Sequence, residues 1–239
     1  MAEKPVPSVI WMRPTRGSRG PEPSRDRDAI ARTAIAIADH EGLAAVSMRR
    51  VAAEIGTGTS SLYRYFSRKD DLLNLMVDGA LAGDVLTASG HWRRDLEAMG
   101  HGLRRLFKAH PWLATALAGR PTLGPNRLRA LEGVLDLLKD TGLSLGERLV
   151  LVDTLGSYVR GFVASEIADT TAIAESGLSS SQWQADQAAY AEAIAKSGHY
   201  PLATQLFEEF RATGTGGQDK SFAAGLEIVL DGLARRLGG

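Results

Sequence analysis

The stretch "MRRVAAEIGTGTSSLYRYFSRKDDLL", residues 48–73, decides the fold. Met48, Val51, Ala52 and Ile55 recur at helical spacing, Ser47 stands where an N-cap belongs, and Gly56 stands where a helix stops. Leu62 and Phe66 form a further i, i+4 apolar pair, which leaves Thr59, Ser60, Tyr63 and Arg64 pointing away from that face. Between the two helices lies Gly56-Thr57-Gly58, the length and chemistry of the turn in a helix-turn-helix. A helix entering a DNA major groove needs small polar residues in its first turn to approach base edges, with hydroxyl or cationic groups beside them for phosphates. Thr59, Ser60 and Ser61, then Tyr63, Arg64, Tyr65 and Lys69, follow that order. Spacing alone fits a small helical subdomain with an incidentally polar helix as well; the aromatic and basic residues tip the reading toward DNA.

Upstream, Ile30, Ala34, Ile37 and Ala38 make one apolar stripe that ends at Gly42, giving the first of three helices. Residues 1–24 hold five of the nine prolines with Arg13, Arg16 and Arg19 and no apolar period, which predicts a flexible arm. Downstream, the periodicity predicts helices throughout: a connector from Leu72 to about Leu86, then 92–109, 111–119, 124–140, 145–169, 180–197, 201–212 and 219–237. No strand alternation interrupts them. The fold class is therefore all-α, with an arm over 1–24, a three-helix DNA-binding domain over 25–70 and a larger helical domain over 71–239.

Residues 1–69 carry twelve Lys and Arg against seven Asp and Glu, although the 239-residue chain has a net charge of zero. A basic N-terminal third suits a polyanion, though so modest an excess is most often just a solvated surface. There is no cysteine, which removes disulfides, thiolate metal sites and Cys nucleophiles. Apolar runs such as Leu149 to Val152 are far shorter than the ~20 residues that span a bilayer, so a cytoplasmic protein without membrane contact is expected. His40, His91, His101, His110 and His199 show no metal-ligand spacing, and neither a phosphate-cradling glycine loop nor a nucleophile elbow occurs. No metal, cofactor or catalytic residue is expected, and the chain reads as a non-enzyme. Trp183 and Tyr190, seven apart, fit core or pocket wall equally.

The quoted stretch resembles the DNA-binding domain of the TetR family of bacterial transcriptional regulators. The Ala52 and Gly56 spacing, Leu62-Tyr63, the aromatic Tyr65-Phe66, and Lys69 before an acidic residue and Leu72-Leu73 carry the likeness. Thr57 and Gly58 depart from it, standing where an apolar residue and a capping Ser are usual; glycine still serves as an N-cap. "AGRPT" at 118–122, "LSLGERLVLVDTLGSYVRGFV" at 143–163 and "FAAGLEIVLDGLARRL" at 222–237 extend the resemblance to the tetracycline-repressor subgroup. The resemblance implies Arg49 and Arg64 as base readers, with Thr59, Ser60 and Ser61 facing the groove. It implies Ser47, Tyr63, Tyr65 and Lys69 as phosphate clamps. Arg25 and Arg27 offer minor-groove or phosphate contacts, although a solvated arm accounts for them as well or better.

It also implies a homodimer on a pseudo-palindromic double-stranded operator, closed by a four-helix bundle. Leu155, Val159, Phe162, Leu226, Val229, Leu230 and Leu233 are the expected dimer residues, although burial in one chain's core explains the same stripes. The implied effector pocket is lined by Met99, His101, Leu103, Phe107, Trp112, Ala116, Val134, Leu149, Val152 and Tyr158. Met99 and Ala116, or Leu117 one place on, match positions where the tetracycline repressor has an amide and a metal-binding histidine, and none of the three binds Mg²⁺. Leu103 and Val134 likewise match an aromatic and a polar contact. Apolar walls suit an apolar or aromatic effector held without metal, with His101 and Tyr158 as polar anchors. The expected function is a ligand-responsive regulator, a repressor released from its operator. The alternative is a helical ligand-binding or scaffold protein that reads no DNA.

Overall fold

A computed structural model of the chain describes residues 9–13, 26–83, 87–119, 123–213 and 217–237. Helix α1 (Arg27–Glu41) starts where the Asp26 carboxylate accepts the Ala29 N–H at 2.5 Å. It buries Ile30, Ala34, Ile37 and Ala38 on one face and stops at Gly42, whose φ of +81° an L side chain rarely adopts. In α2 (Met48–Glu54) the Ser47 hydroxyl accepts the Arg50 N–H at 3.1 Å, and Met48, Val51 and Ala52 turn inward. The glycine turn then leads into α3 (Thr59–Leu62), whose N-cap Gly58 brings no side-chain bond. Uncapped, α3 is one turn long. Tyr63, Arg64 and Tyr65 therefore lie in the hydrogen-bonded turn after it, with Tyr65 N–H donating to the Leu62 carbonyl at 2.9 Å. Leu62 and Phe66, each 1% exposed, anchor this short element, at roughly 1.5–3 kcal/mol per buried side chain.

Helix α4 (Lys69–Ala80) begins as Asp71 reaches back to accept the Ser67 and Arg68 N–H groups at 2.9 and 3.1 Å. It buries Leu72, Leu75 and Met76 and packs on α1. It ends at Ala80, short of Leu86, where the Leu81 and Ala82 N–H groups tighten onto the Asp78 and Gly79 carbonyls, each at 3.1 Å; Leu86 itself lies outside the described residues. Then come α5 (Trp92–Ala109), α6 (Pro111–Gly119) and α7 (Pro125–Leu137), with α6 and α7 packed on both α4 and the α5 neighbourhood.

Helix α8 (Leu145–Glu175) is the longest, followed by α9 (Ser180–Ser197), α10 (Pro201–Thr213) and α11 (Gly217–Arg236). Compactness divides the chain inside α8, into 1–152 and 153–239; within the first unit α1 and α4 pack on one another and on α6, and α4 packs on α7. The all-α class stands: no strand occurs among the described residues. Their helices include none long and apolar enough to cross a membrane.

Residues 9–13 of the expected arm are packed against the helices. Residues 10–12 form a single 3₁₀ turn, Ile10 is 1% exposed, and Arg13 meets Asp71 at 2.7 Å. The apolar run Val9–Met12 is too short to show a helical period in the sequence, yet its Ile10 is enough to seat a short segment. Arg16, Arg19 and Arg25 lie outside the described residues.

Candidate nucleic-acid interface and effector core

The helix-turn-helix presents its polar residues outward. Arg49, Ser60, Tyr63, Arg64 and Lys69 are exposed, while Ser47, Thr59, Ser61 and Tyr65 are half-buried. Tyr65 leans on Phe66 with ring centroids 6.3 Å apart, so its position is fixed by the core beneath it. The Ser47 hydroxyl serves the α2 cap as acceptor, and a hydroxyl that accepts one bond still has a proton to donate. Tyr63 is 56% exposed, a large aromatic surface at the edge of a basic patch.

Two consecutive arginines on α2 have different fates. Arg50 is held by Glu41 at 2.7 Å and Glu54 at 2.6 Å, and these bonds raise its pKa further above the ordinary arginine range. The same Arg50 bond holds the Glu41 carboxyl below its usual range. Arg49 next to it faces outward. Arg27 does not join the DNA face: its Nη1 donates to the carbonyls of Ile10 and Arg13 at 3.4 and 3.2 Å, and burial, then the nearby Arg13 charge, lowers its pKa.

Helices α5, α6 and α7 gather most of the expected pocket residues. Met99, Phe107 and Trp112 are buried, and His101, Leu103, Ala116, Val134 and Val152 are half-buried. Leu149, at the start of α8, is 41% exposed, beside the more exposed Val150. The Tyr158 hydroxyl donates to the Phe222 carbonyl at 2.7 Å and its ring stacks on Phe222 at 5.7 Å, so it ties α8 to α11. Trp183 is half-buried on α9, whereas Tyr190 is 66% exposed.

A joint links this core to α1. Asp39 Oδ1 accepts the Trp112 indole N–H at 2.7 Å and lies 2.8 Å from His110 Nδ1. The carboxylate only accepts, so Nδ1 carries the proton. Asp39, Asp71 and Asp78 all carry roles that sequence reading passed over. Each pairs with residues either non-local in sequence or hidden in an ordinary helical charge pattern.

Most of the expected dimer residues on α8 and α11 are covered within one chain. Leu155, Val159 and Leu230 are 0% exposed, Leu226 1% and Leu233 6%, all within a single chain. They are core. Phe162 and Val229 are half-buried, and Phe162 packs edge-on to Phe222 at 5.3 Å. The outward face of α11 carries Ile228, 73% exposed, and α8 turns Ser157, Gly161 and Ala164 outward. A Cβ added at Gly156, Gly161 or Gly232 would meet nothing within 4 Å.

A cleft of about 350 Å³ opens between α9 and α10, lined by Glu192, Lys196, Phe207 and Arg211 among others. No expected pocket residue lines it. Among the described residues no group of three His, Asp or Glu side chains is placed to hold a metal ion.

Comparison with known proteins matches residues 30–76 to the family described as bacterial regulatory proteins, tetR family, and residues 86–237 to the tetracyclin repressor-like C-terminal domain. The HTH-type transcriptional repressor DrrR1 of Streptomyces coeruleorubidus is 38% identical over 229 residues, covering 94% of this chain and 83% of that protein. Tetracycline repressor class A from Escherichia coli is 25% identical over 87% of this chain and 90% of its own. Among solved structures, ActR of Streptomyces coelicolor in complex with (S)-DNPA superposes with a TM-score of 0.71 at 32% identity, over 90% of this chain and 99% of that one. The same protein in complex with actinorhodin gives 0.70 at 29%, over 91% and 100%.

Proposed function

Because the chain belongs to the tetR family of bacterial regulatory proteins, and so is a ligand-responsive DNA-binding transcriptional regulator, we propose that it is a dimeric repressor released from its operator by an apolar or aromatic molecule. The observation that carries this is the pairing of an outward basic surface, Arg49, Arg64 and Lys69, with the buried Met99, Phe107 and Trp112, the last of them bonded to Asp39 of α1.

Arg49 and Arg64 read bases through the guanidinium fork, and Ser47, Tyr63, Tyr65 and Lys69 grip phosphates and set register. Repression follows from occupancy: a dimer on its operator blocks the promoter beneath it. Relatives support this sense, since DrrR1 is named a repressor.

The partner-facing surface of the dimer is the outward side of α8 and α11, around Gly161, Ile228 and Gly232. Small residues there let another helix approach closely, and the buried Leu155, Val159 and Leu230 support that surface from behind. An isologous interface on a two-fold axis then places two copies of α3 about one DNA turn apart, ~34–36 Å, matching a palindromic site.

The effector enters among α5, α6 and α7, where methionine and aromatic side chains adapt to an apolar surface. ActR, a relative solved with actinorhodin and with (S)-DNPA, supports an organic effector. A molecule lodged against Trp112 displaces the ring whose N–H holds Asp39, and α1 loses its joint. Release requires that the effector bind the non-DNA state more tightly; a swing from 1:99 to 99:1 occupancy needs a preference of about 10⁴.

A gel-shift screen of genomic fragments identifies the operator, and light scattering gives the mass. Aromatic compounds are then titrated against the complex while intrinsic tryptophan fluorescence is followed in wild type and Trp112→Phe. Magnesium-tetracycline serves as the control: operator release that depends on magnesium at micromolar drug refutes the apolar, metal-free pocket.

A further inference from the structure

Residues 9–13 lie along α4, with contacts at both of its ends. At one end Arg13 Nη1 meets Asp71 Oδ2 at 2.7 Å and Ser67 Oγ at 3.0 Å. At the other, the Trp11 indole sits so close to Gly124 that a Cβ there would fall 2.7 Å from its Cζ2 and would also strike the Asp78 carboxylate. Arg27 fastens the segment to α1 through the Ile10 and Arg13 carbonyls, and Ile10 is wholly buried.

The chemistry at Asp71 gives this segment a task. Its side chain is 1% exposed, and one oxygen takes the Ser67 N–H, the Arg68 N–H and the Arg13 guanidinium. That oxygen sits under the turn that presents Lys69, the expected phosphate clamp. A buried carboxylate stripped of the cation bonded to it is costly even with Arg27 nearby, and its charge opposes a phosphate approaching that turn. The Arg13 side chain is itself only 8% exposed and so faces the protein rather than the solvent.

We propose that Arg13 is a positioning residue for operator binding: it neutralises Asp71 and holds the Ser67–Lys69 turn in the geometry that grips the DNA backbone, without touching DNA. The segment before α1 is thereby part of the DNA-binding machinery. This rests on the regulator reading above.

Operator affinity of the full chain is measured by fluorescence anisotropy over a range of salt for wild type, Arg13→Ala, Arg13→Lys, Asp71→Asn and the Arg13→Ala/Asp71→Asn double variant. If Arg13 sets the fraction of chains with a competent clamp, Arg13→Ala weakens binding by about 3- to 30-fold on all operator variants alike. The salt slope stays unchanged, Arg13→Lys recovers most of the loss, and in the Asp71→Asn background Arg13→Ala costs less than about twofold. A slope lowered by about one, with the loss persisting in that background, means that Arg13 grips phosphate itself and overturns the proposal. So does wild-type affinity in Arg13→Ala. Circular dichroism melting checks each variant. Should Arg13→Ala fail to fold, Arg13→Gln takes its place in the same cycle with Asp71→Asn. Wild type that binds no genomic fragment instead refutes the regulator reading, and that outcome is seen before any variant is made.

Discussion

Replacing Asp78 tests the way α4 and α7 are joined. Helix α7 begins at Gly124 and Pro125 and has no capping side chain of its own. Asp78, 3% exposed near the far end of α4, supplies the cap from outside: Oδ1 accepts the Arg127 N–H at 3.0 Å and Oδ2 the Asn126 N–H at 3.3 Å. Asn126 Nδ2 returns a bond to the Asp78 carbonyl at 3.1 Å. A hydrogen bond to a charged group contributes roughly 1.5–3 kcal/mol net, and a negative charge at a helix N-terminus about 0.3–1 kcal/mol or more when partly buried. The 3.3 Å bond is weak and the contributions overlap, so Asp78→Ala should cost about 3 kcal/mol. Asp78→Asn keeps one acceptor but turns an N–H donor toward a second N–H, and should cost about half as much.

Urea unfolding followed by circular dichroism measures both. Gly124→Ala provides the cross-check, because its Cβ would strike the Asp78 carboxylate and Trp11. Its cost should shrink when Asp78 is already alanine. An Asp78→Ala variant within about 0.5 kcal/mol of wild type, or an asparagine as harmful as the alanine, would refute the external cap.

Further outcomes follow from other elements. Arg49→Ala or Arg64→Ala should cost roughly 1–3 kcal/mol and relax preference at one base pair, whereas Lys69→Ala should weaken all sequences alike and lower the salt slope by about one, as read by binding to operator variants at several salt concentrations. Ile228→Glu should shift the chain toward monomer in analytical ultracentrifugation while leaving its melting nearly unchanged, whereas Leu230→Ala should cost about 2–5 kcal/mol of stability as a core truncation. Glu41 has a folded pKa below its ordinary 4.5, so its bond to Arg50 stabilises the protein above that value and is lost as pH falls through the lower, folded pKa. The difference in melting temperature between wild type and Glu41→Gln should therefore be constant near neutrality and vanish in acid.

What could be read in the sequence was local. Ser47 caps α2 because its oxygen reaches three residues ahead, and Gly42 and Gly56 take the positive φ that ends their helices, so these signals appear in any short window. The polar order from Thr59 to Lys69 was legible for the same reason, whereas Met99, Phe107 and Trp112 were singled out by the family resemblance and not by any local signal. Pairings across distance were not. Asp39 finds Trp112 seventy-three residues on, and Arg13 finds Asp71 fifty-eight on; neither acid differs in its own window from a solvated one. The stripes on α8 and α11 posed another difficulty. Periodicity shows that Leu155, Val159, Leu226 and Leu230 are covered, but a helix of the same chain and one of a second copy leave the same imprint.

Helix α4 carries two buried aspartates seven residues apart, Asp71 near its start and Asp78 near its end, each committed to a different segment. Anyone building chimaeras to re-address this regulator inherits that arrangement. A graft cut at residue 70 exchanges Arg13 and Ser67 while leaving Asp71 behind, and it separates Asp39 from His110 and Trp112. Each junction then places a foreign residue opposite a carboxylate selected for another partner. A graft that carries residues 9–80 keeps the first contact and still breaks the bonds from Asp78 to Asn126 and Arg127 unless the recipient has backbone N–H groups in the same place. The transferable part of this protein is thus set by where its acids find their donors, and for α4 that reaches into the first turn of α7.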